Sequence, residues 1–162
     1  MVLLLAIVVV DQLTKWLIVR HVPMFYQSGH TIEVMGDFLR IIHVRNLGIA
    51  FSIGHGLAPW MRRILFVALP MVVMLVLFFS FYTSRNLTQA QRWCVAGILG
   101  GGAGNIIDRL FRPAGVVDFL DVRFYGIFGM ERWPTFNVAD AAVVVSGILL
   151  VLSMLFTPAE GE

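Results

Sequence analysis

The chain has 162 residues, of which 59% are hydrophobic and only 14% charged, with a formal net charge of +2. Soluble domains carry about 25% charged residues, so this composition, with a mean hydropathy of +0.85, belongs to an integral membrane protein with room for one domain, 1–162. The small net charge and scattered arginines exclude nucleic acid as a partner. The one cysteine, Cys94, excludes an intramolecular disulfide and any multi-cysteine metal site; beside Trp93 it reads as a packing thiol.

A hydrocarbon core needs about 20 apolar residues in helical form. Four segments meet that need, at about 2–19, 60–82, 93–110 and 138–156. The opening run MVLLLAIVVV lacks a preceding basic segment and a following small-residue cleavage site, so it reads as an uncleaved span and not as a signal peptide. The missing basic flank points to a start codon slightly upstream. Within this first span Asp11 and Lys15 are four residues apart, share a helix face and can pair, as charges inside membranes generally do.

Residues 31–53 follow. Phe38 to Arg45 mixes apolar and polar residues with partial alternation and β-branched content, and Gly29, Gly36, Gly48, Gly54 and Gly56 punctuate the region. A short strand or hairpin, forming a small extramembrane sheet, is expected. His43 and His55 read as sheet or surface residues, and no His/Asp/Glu spacing matches a zinc site. Ser52 has no evident His-Asp partners.

The second span tolerates Pro70, as membrane helices can. The third is rich in small residues (Gly97, Gly100, Gly101, Gly102 and Gly104), which let helices approach closely in lipid. It ends on Asn105, Asp108 and Arg109, spaced to share one face. A salt bridge between Asp108 and Arg109 is the plainer alternative to a site there. Trp60, Tyr82, Trp93 and Trp133 fall at segment ends, where an aromatic belt lies.

Asp118 and Asp140 sit at the edges of hydrophobic runs. A carboxylate near hydrocarbon costs roughly 2.5–3.5 kcal/mol, which marks it as a functional candidate. Two together can share one proton, leaving an acid and a base to act on one water molecule. Plainer readings exist for each. Asn137 and Asp140 have the spacing of a helix cap and its third residue, and Asp118 can be an ordinary loop acid, with Asp121 nearby offering the same group. Counting arginines by the positive-inside rule places the first and third loops in the cytoplasm, although several of these arginines lie beside acids.

Five motifs in register then decide the reading: Asp-Gln-Leu-Thr-Lys (11–15), Asn-Leu-Gly-Ile-Ala-Phe-Ser (46–52), Gly-Gly-Ala-Gly-Asn-Ile-Ile-Asp-Arg-Leu (101–110), Val-Val-Asp-Phe (116–119) and Phe-Asn-Val-Ala-Asp-Ala (136–141). Across nearly its whole length the chain resembles the lipoprotein signal peptidases, the type II signal peptidases of bacteria. The resemblance implies an all-α membrane protein with four transmembrane helices, a small extramembrane β-cradle over 31–53, and an outer connecting segment, 111–133, with a short helix. It implies an aspartic endopeptidase of the bacterial cytoplasmic membrane, both termini cytoplasmic and the active site at the outer face, against the arginine count. The implied substrate is a diacylglyceryl-prolipoprotein, cut just before the lipidated cysteine. Asp118 and Asp140 would be the catalytic pair, Asn46, Asn105, Asp108, Arg109 and Asn137 the supporting polar shell, and Asp11 with Lys15 a brace for the first span. No metal or organic cofactor is called for; membrane lipid is a partner and the expected state is a monomer. The chain departs from the pattern at its abrupt N-terminus and over 125–131. A small transporter with Asp11, Asp108 and Asp140 as a proton relay is the main rival. A relay wants acids at graded depths, whereas these gather at one end of the third and fourth spans; a purely structural subunit would leave the polar cluster unexplained.

Overall fold

The computed structural model describes residues 1–48, 57–84 and 86–156. These form α1 (Val2–His21), α2 (Phe25–Ser28), β1 (Ile32–Met35), β2 (Leu39–Asn46), α3 (Pro59–Arg63), α4 (Leu69–Thr83), α5 (Gln89–Phe111), β3 (Val116–Val122) and α6 (Val138–Phe156). Ser52 and His55, and the last part of the expected 31–53 sheet region, lie outside the described residues. The architecture is mostly helical. Three stretches, Val2–Ser28, Trp60–Thr83 and Val138–Phe156, are long and apolar enough to cross a membrane. Their apolar side chains, such as Val9, Val76 and Leu149, stay exposed on the protein, as lipid-facing residues must.

α5 is not among those three, because its glycines and its Asn105, Asp108 and Arg109 lower its hydropathy. It is instead the helix against which the others pack, touching α1, α4 and α6. The glycines permit this. A Cβ on Gly100 would sit 3.0 Å from the Leu4 carbonyl oxygen of α1, and one on Gly101 would strike the Ala139 carbonyl of α6. Without such residues the backbones could not approach this closely. Thr88 opens α5 with a reciprocal cap, its hydroxyl accepting from the Gln91 amide while the Gln91 side chain accepts from the Thr88 amide.

The second expected span is one continuous helical path in three parts. A wide π-helical turn, Ile64–Ala68, joins α3 to α4 just ahead of Pro70. Proline lacks an N–H and crowds the carbonyl four residues back, and a locally widened turn accommodates it.

The sheet is antiparallel in the order β1-β2-β3, with a bulge in β2 between Ile41 and Val44. β2 matches the strand expected near 38–45. β3 was not expected. In the 111–133 segment, where a short helix was anticipated, the described residues carry this strand and a single 3-10 turn, Ile127–Gly129. The reason is local: Val116, Val117 and Val122 are β-branched and favour a pleated surface, and positive φ at Tyr125, Gly126, Phe128 and Gly129 prevents helix propagation. Phe136 bridges Leu120 on the free edge of β3, which brings the start of α6 beside the strand. Val117 and Phe119 pack on Ile18 of α1 and on Val22, just past its end, seating the sheet on the helices.

A buried charge holds these elements in register. The Lys15 ammonium, wholly buried, lies 2.9 Å from Asp11 Oδ2 and 3.0 Å from Asp108 Oδ2, and donates to Asn105 Oδ1 at 2.9 Å. Asp11 also accepts from the Ala139 amide of α6, and Asp108 from the Val117 amide of β3. One ammonium thus ties α1 to α5 directly and to α6 and β3 through its two carboxylates. Removing one partner of a buried ion pair costs about 3–5 kcal/mol, because a charge is left uncompensated. Lys15→Met, which strands two carboxylates, should lose at least that much in thermal unfolding of the purified protein in detergent. Glu33→Gln on the exposed face of β1 should change stability by no more than about 0.5 kcal/mol. A Lys15→Met protein as stable as the parent would show that apolar packing alone sets α1.

Candidate active site

The polar face of α5, the N-terminus of α6, the end of β2 and the middle of β3 converge at one end of the helices. Asp118 lies in β3 and is 3% exposed. Its Oδ1 accepts from Asn137 Nδ2 at 2.7 Å and its Oδ2 from Asn46 Nδ2 at 3.0 Å. The β2–β3 register pairs Val44 with Asp118 and Asn46 with Val116. Asn46 is therefore a diagonal neighbour of Asp118 on the same face of the sheet.

Asp140 lies in the first turn of α6. Its Oδ2 accepts from the Asn137 backbone amide at 3.1 Å, and Asn137 Oδ1 accepts from the Asp140 amide at 2.9 Å. The capping arrangement suggested by the spacing is present. It leaves the other oxygen of Asp140 for Asn105 Nδ2, which donates to Oδ1 at 2.7 Å. Capping and site geometry therefore coexist in one carboxylate.

Asn137 is fully buried and central. Its side-chain amide donates to Asp118 and also to Asn105 Oδ1, at 3.2 Å. Asn105 in turn accepts from Lys15. The chain Lys15–Asn105–Asn137–Asp118, with Asp140 attached to both asparagines, links the buried Lys15 cluster to the two carboxylates. Arg109 Nη2 donates to the Gly48 carbonyl at 3.3 Å, and the Gly48 amide donates to Asn46 Oδ1 at 3.0 Å. Arg109 thus steadies the loop that presents Asn46. Asp118, Asp140, Asn46, Asn105 and Arg109 all line a cavity of about 230 Å³ that Val116, Trp133 and Val144 complete. A wider cavity of about 710 Å³ on the sheet side shares Asn46, Asp118 and residues 133–135 with it.

The site brings together all the residues singled out from sequence: Asp11, Lys15, Asn46, Asn105, Asp108, Arg109, Asp118, Asn137 and Asp140. The alternative of a simple Asp108–Arg109 salt bridge does not occur among the described residues. Asp108 pairs with Lys15 and with Arg112, at 2.5 Å to Nη1. Gln12 was missed; its amide donates to Asp11, Asp108 and the Gly104 carbonyl, and its place inside the Asp-Gln-Leu-Thr-Lys motif was the available signal. Asp121 does not belong to the site. Its side chain is buried and held by Arg40 and Arg132, away from the asparagines that hold Asp118. His43 is a buried sheet residue whose Nδ1 meets the Val22 carbonyl at 2.9 Å. Cys94 is buried.

Helices of spanning length, a bundle core threaded by buried charge, and two carboxylates in a cleft at one helix end define a multi-pass membrane protein with a polar site at its boundary. The family model described as signal peptidase (SPase) II matches residues 3–156. A lipoprotein signal peptidase of Treponema pallidum (strain Nichols) is 48% identical over 149 residues, covering 92% of this chain and 78% of that protein. One from Borreliella burgdorferi (strain ZS7) is 43% identical over 155 residues, covering 96% and 88%. A solved structure described as a bacterial membrane enzyme, determined by the in meso method at 2.3 Å resolution, superposes with a TM-score of 0.81 at 27% identity, covering 99% of this chain and 92% of that one. The chain belongs to the signal peptidase II family, and so to a family of proteases.

Burial pushes the Asp118 carboxyl up to about 7, with the neighbouring Asp140 charge adding to the shift and the amide donors opposing it. A carboxyl whose pKa is raised in the fold contributes stability that is full below its unfolded value, about 3.9, and is lost as pH rises through about 7. Stability should therefore fall between about pH 4 and 7 in the parent protein relative to Asp118→Asn, which carries no proton to lose. Denaturant or thermal unfolding of both proteins across this range checks the sign. Parallel curves would mean that Asp118 ionises at its ordinary value.

Proposed function

We propose that this protein is an aspartic endopeptidase that removes the signal peptide from diacylglyceryl-modified prolipoproteins, cutting just before the lipidated cysteine. One observation carries the reading: two carboxylates line one small cavity, each with both oxygens held by amide donors, and the described residues of that lining include no serine, histidine or lysine. Family membership and the names of the relatives support the substrate class.

With one proton shared by the pair, the ionised carboxylate accepts a proton from the attacking water as its oxygen bonds to the scissile carbonyl carbon. The protonated carboxyl donates to the carbonyl oxygen. The tetrahedral diol then collapses: the C–N bond breaks, the departing amine takes the proton that the first carboxylate received from water, one diol hydroxyl returns its proton to the other carboxylate, and the new carboxylic acid leaves on the signal peptide. Amide donors suit this because they orient carboxylates without adding charge, so the proton stays mobile within the pair. Asn105 and Asn137 hold the pair, Arg109 supplies positive potential at the cavity wall, and Asp11, Lys15 and Asp108 brace the helices beneath. None of these steps draws on a metal or an organic cofactor.

The same reading treats the whole chain as one peptidase domain with α5 as the fourth span. α5 has 23 residues, about 35 Å at 1.5 Å per residue, which is long enough to cross. The site is assigned to the outer face of the bacterial cytoplasmic membrane, with both termini cytoplasmic. Ion pairing of Arg40, Arg112, Arg123 and Arg132 supports this orientation, because arginines committed to structural carboxylates are poor witnesses for the positive-inside rule.

Asp118→Asn and Asp140→Asn should each abolish cleavage of a diacylglyceryl-prolipoprotein while the proteins remain folded. Asn keeps the shape and the cap but cannot act as acid or base. Glu33→Gln serves as the control and should cleave normally. Near-normal cleavage by either variant would exclude the paired-carboxylate mechanism. For the topology, a membrane-impermeant thiol reagent should label a cysteine at Gly126 in intact spheroplasts and should spare one at Gln89. The reverse pattern would turn the site toward the cytoplasm.

A further inference from the structure

The wide cavity has a chemistry that the catalytic pair does not use. It opens from Asp118 and Asn46 along the sheet toward Arg40, Arg45, Asp121 and Arg132. At that far end Arg40 donates from Nε and Nη2 to Asp121 Oδ2, at 3.0 and 2.8 Å, and Arg132 Nη1 lies 3.2 Å from the same oxygen. Arg40, Arg132 and Arg123 also surround Asp37, at 3.4 Å from Arg40 and 2.5 Å from Arg132. Three guanidinium groups therefore face two carboxylates, and Arg45 adds a fourth that forms no ion pair among the described residues. Of the residues that line the cavity, three guanidinium groups (Arg40, Arg45, Arg132) stand against two carboxyls (Asp118, Asp121), with Glu33 across from Arg40 in the β1–β2 register, so the unpaired cation is Arg45.

The two cavities differ in what walls them. The small one reaches between the helices to Asn105 and Val144, whereas the wide one is walled by α2, the sheet and residues 130–135. They meet at Asn46, Asp118 and residues 133–135. A substrate whose apolar signal segment stays in the bilayer enters from the helix side. The polar chain after the cut must then leave over the sheet.

Resting on the peptidase reading above, we infer that the wide cavity binds the first residues of the mature chain and favours acidic side chains there, with Arg45 as the specificity-determining cation. A guanidinium with free N–H donors matches a carboxylate better than any other side chain. An added cation would have to compete with arginines already paired to Asp37 and Asp121. This preference acts on binding and leaves the chemistry at the dyad alone.

The test uses the full-length protein in detergent and two diacylglyceryl-prolipoprotein peptides, identical through the lipidated cysteine and followed by three acidic or three lysine residues. The acidic peptide should show kcat/KM higher by about tenfold, the worth of one charge-assisted hydrogen bond. The difference should lie mainly in KM and should shrink as salt is raised. Arg45→Gln should bring the ratio toward one, with partial recovery in Arg45→Lys; because both peptides are measured on one preparation, any loss of folded protein cancels. Equal cleavage of the two peptides by the parent protein, or a ratio untouched by Arg45→Gln, would overturn the inference. Failure to cleave either peptide would instead remove the peptidase reading beneath it.

Discussion

The buried ammonium of Lys15 is the constraint on which the rest of the structure depends. A lone ammonium in a low-dielectric interior is prohibitively costly, so its three donors must each find an oxygen. They find Asp11 on the same helix and Asp108 and Asn105 on α5. Those acceptors have further capacity, which the Ala139 amide at the start of α6 and the Val117 amide of β3 fill. In lipid, where apolar helix faces gain little from one another, such a centre defines which turn of α1 meets which turn of α5. Gly104 is part of the same requirement, since a Cβ there would come within 2.5 Å of the Asp11 carboxylate.

Above this charged layer lies an amide layer, and the distinction matters for function. Asn105 faces both, accepting from Lys15 on one side and donating to Asp140 on the other. Asn137 passes the same rigidity to Asp118. Lysine in direct contact with the pair would hold both carboxylates ionised. Separated from it by asparagines, Asp118 is oriented by neutral donors, and burial beside Asp140 raises its affinity for a proton. A charged brace below and neutral positioning above is how one small bundle can be both stable in lipid and ready for proton transfer.

Much of this was legible in the sequence, for identifiable reasons. Asp11 and Lys15 were readable as a pair because helical spacing and the cost of intramembrane charge leave little else for them to do. The polar ends of α5 and α6 were visible against apolar runs. β3 was harder. Its Val-Val-Asp-Phe-Leu-Asp-Val sequence carries β-branched residues, but its identity as a strand depends on pairing with β2 some seventy residues earlier, and such non-local pairing leaves a weak local signal. The same error hid the division of labour between Asp118 and Asp121. Taken as loop acids they look equivalent, whereas in the fold Asp118 meets Asn46 and Asn137 and Asp121 meets Arg40 and Arg132. Arg112 and Gln12 as partners of Asp108 were overlooked, although Arg112 stands four residues on in the same helix and Gln12 lies inside the Asp-Gln-Leu-Thr-Lys motif.

The central claim is that a buried carboxyl at the site holds a proton at neutral pH, and infrared difference spectroscopy of the protein in detergent tests it without relying on turnover. A protonated, buried carboxyl has a C=O stretch separate from those of ionised carboxylates. The account predicts that this band is present at pH 6, disappears with a midpoint near the value of about 7 set by the surroundings of Asp118, and is missing from Asp118→Asn. A protein that shows no protonated carboxyl band at pH 6, or one that keeps the band in Asp118→Asn, would contradict it.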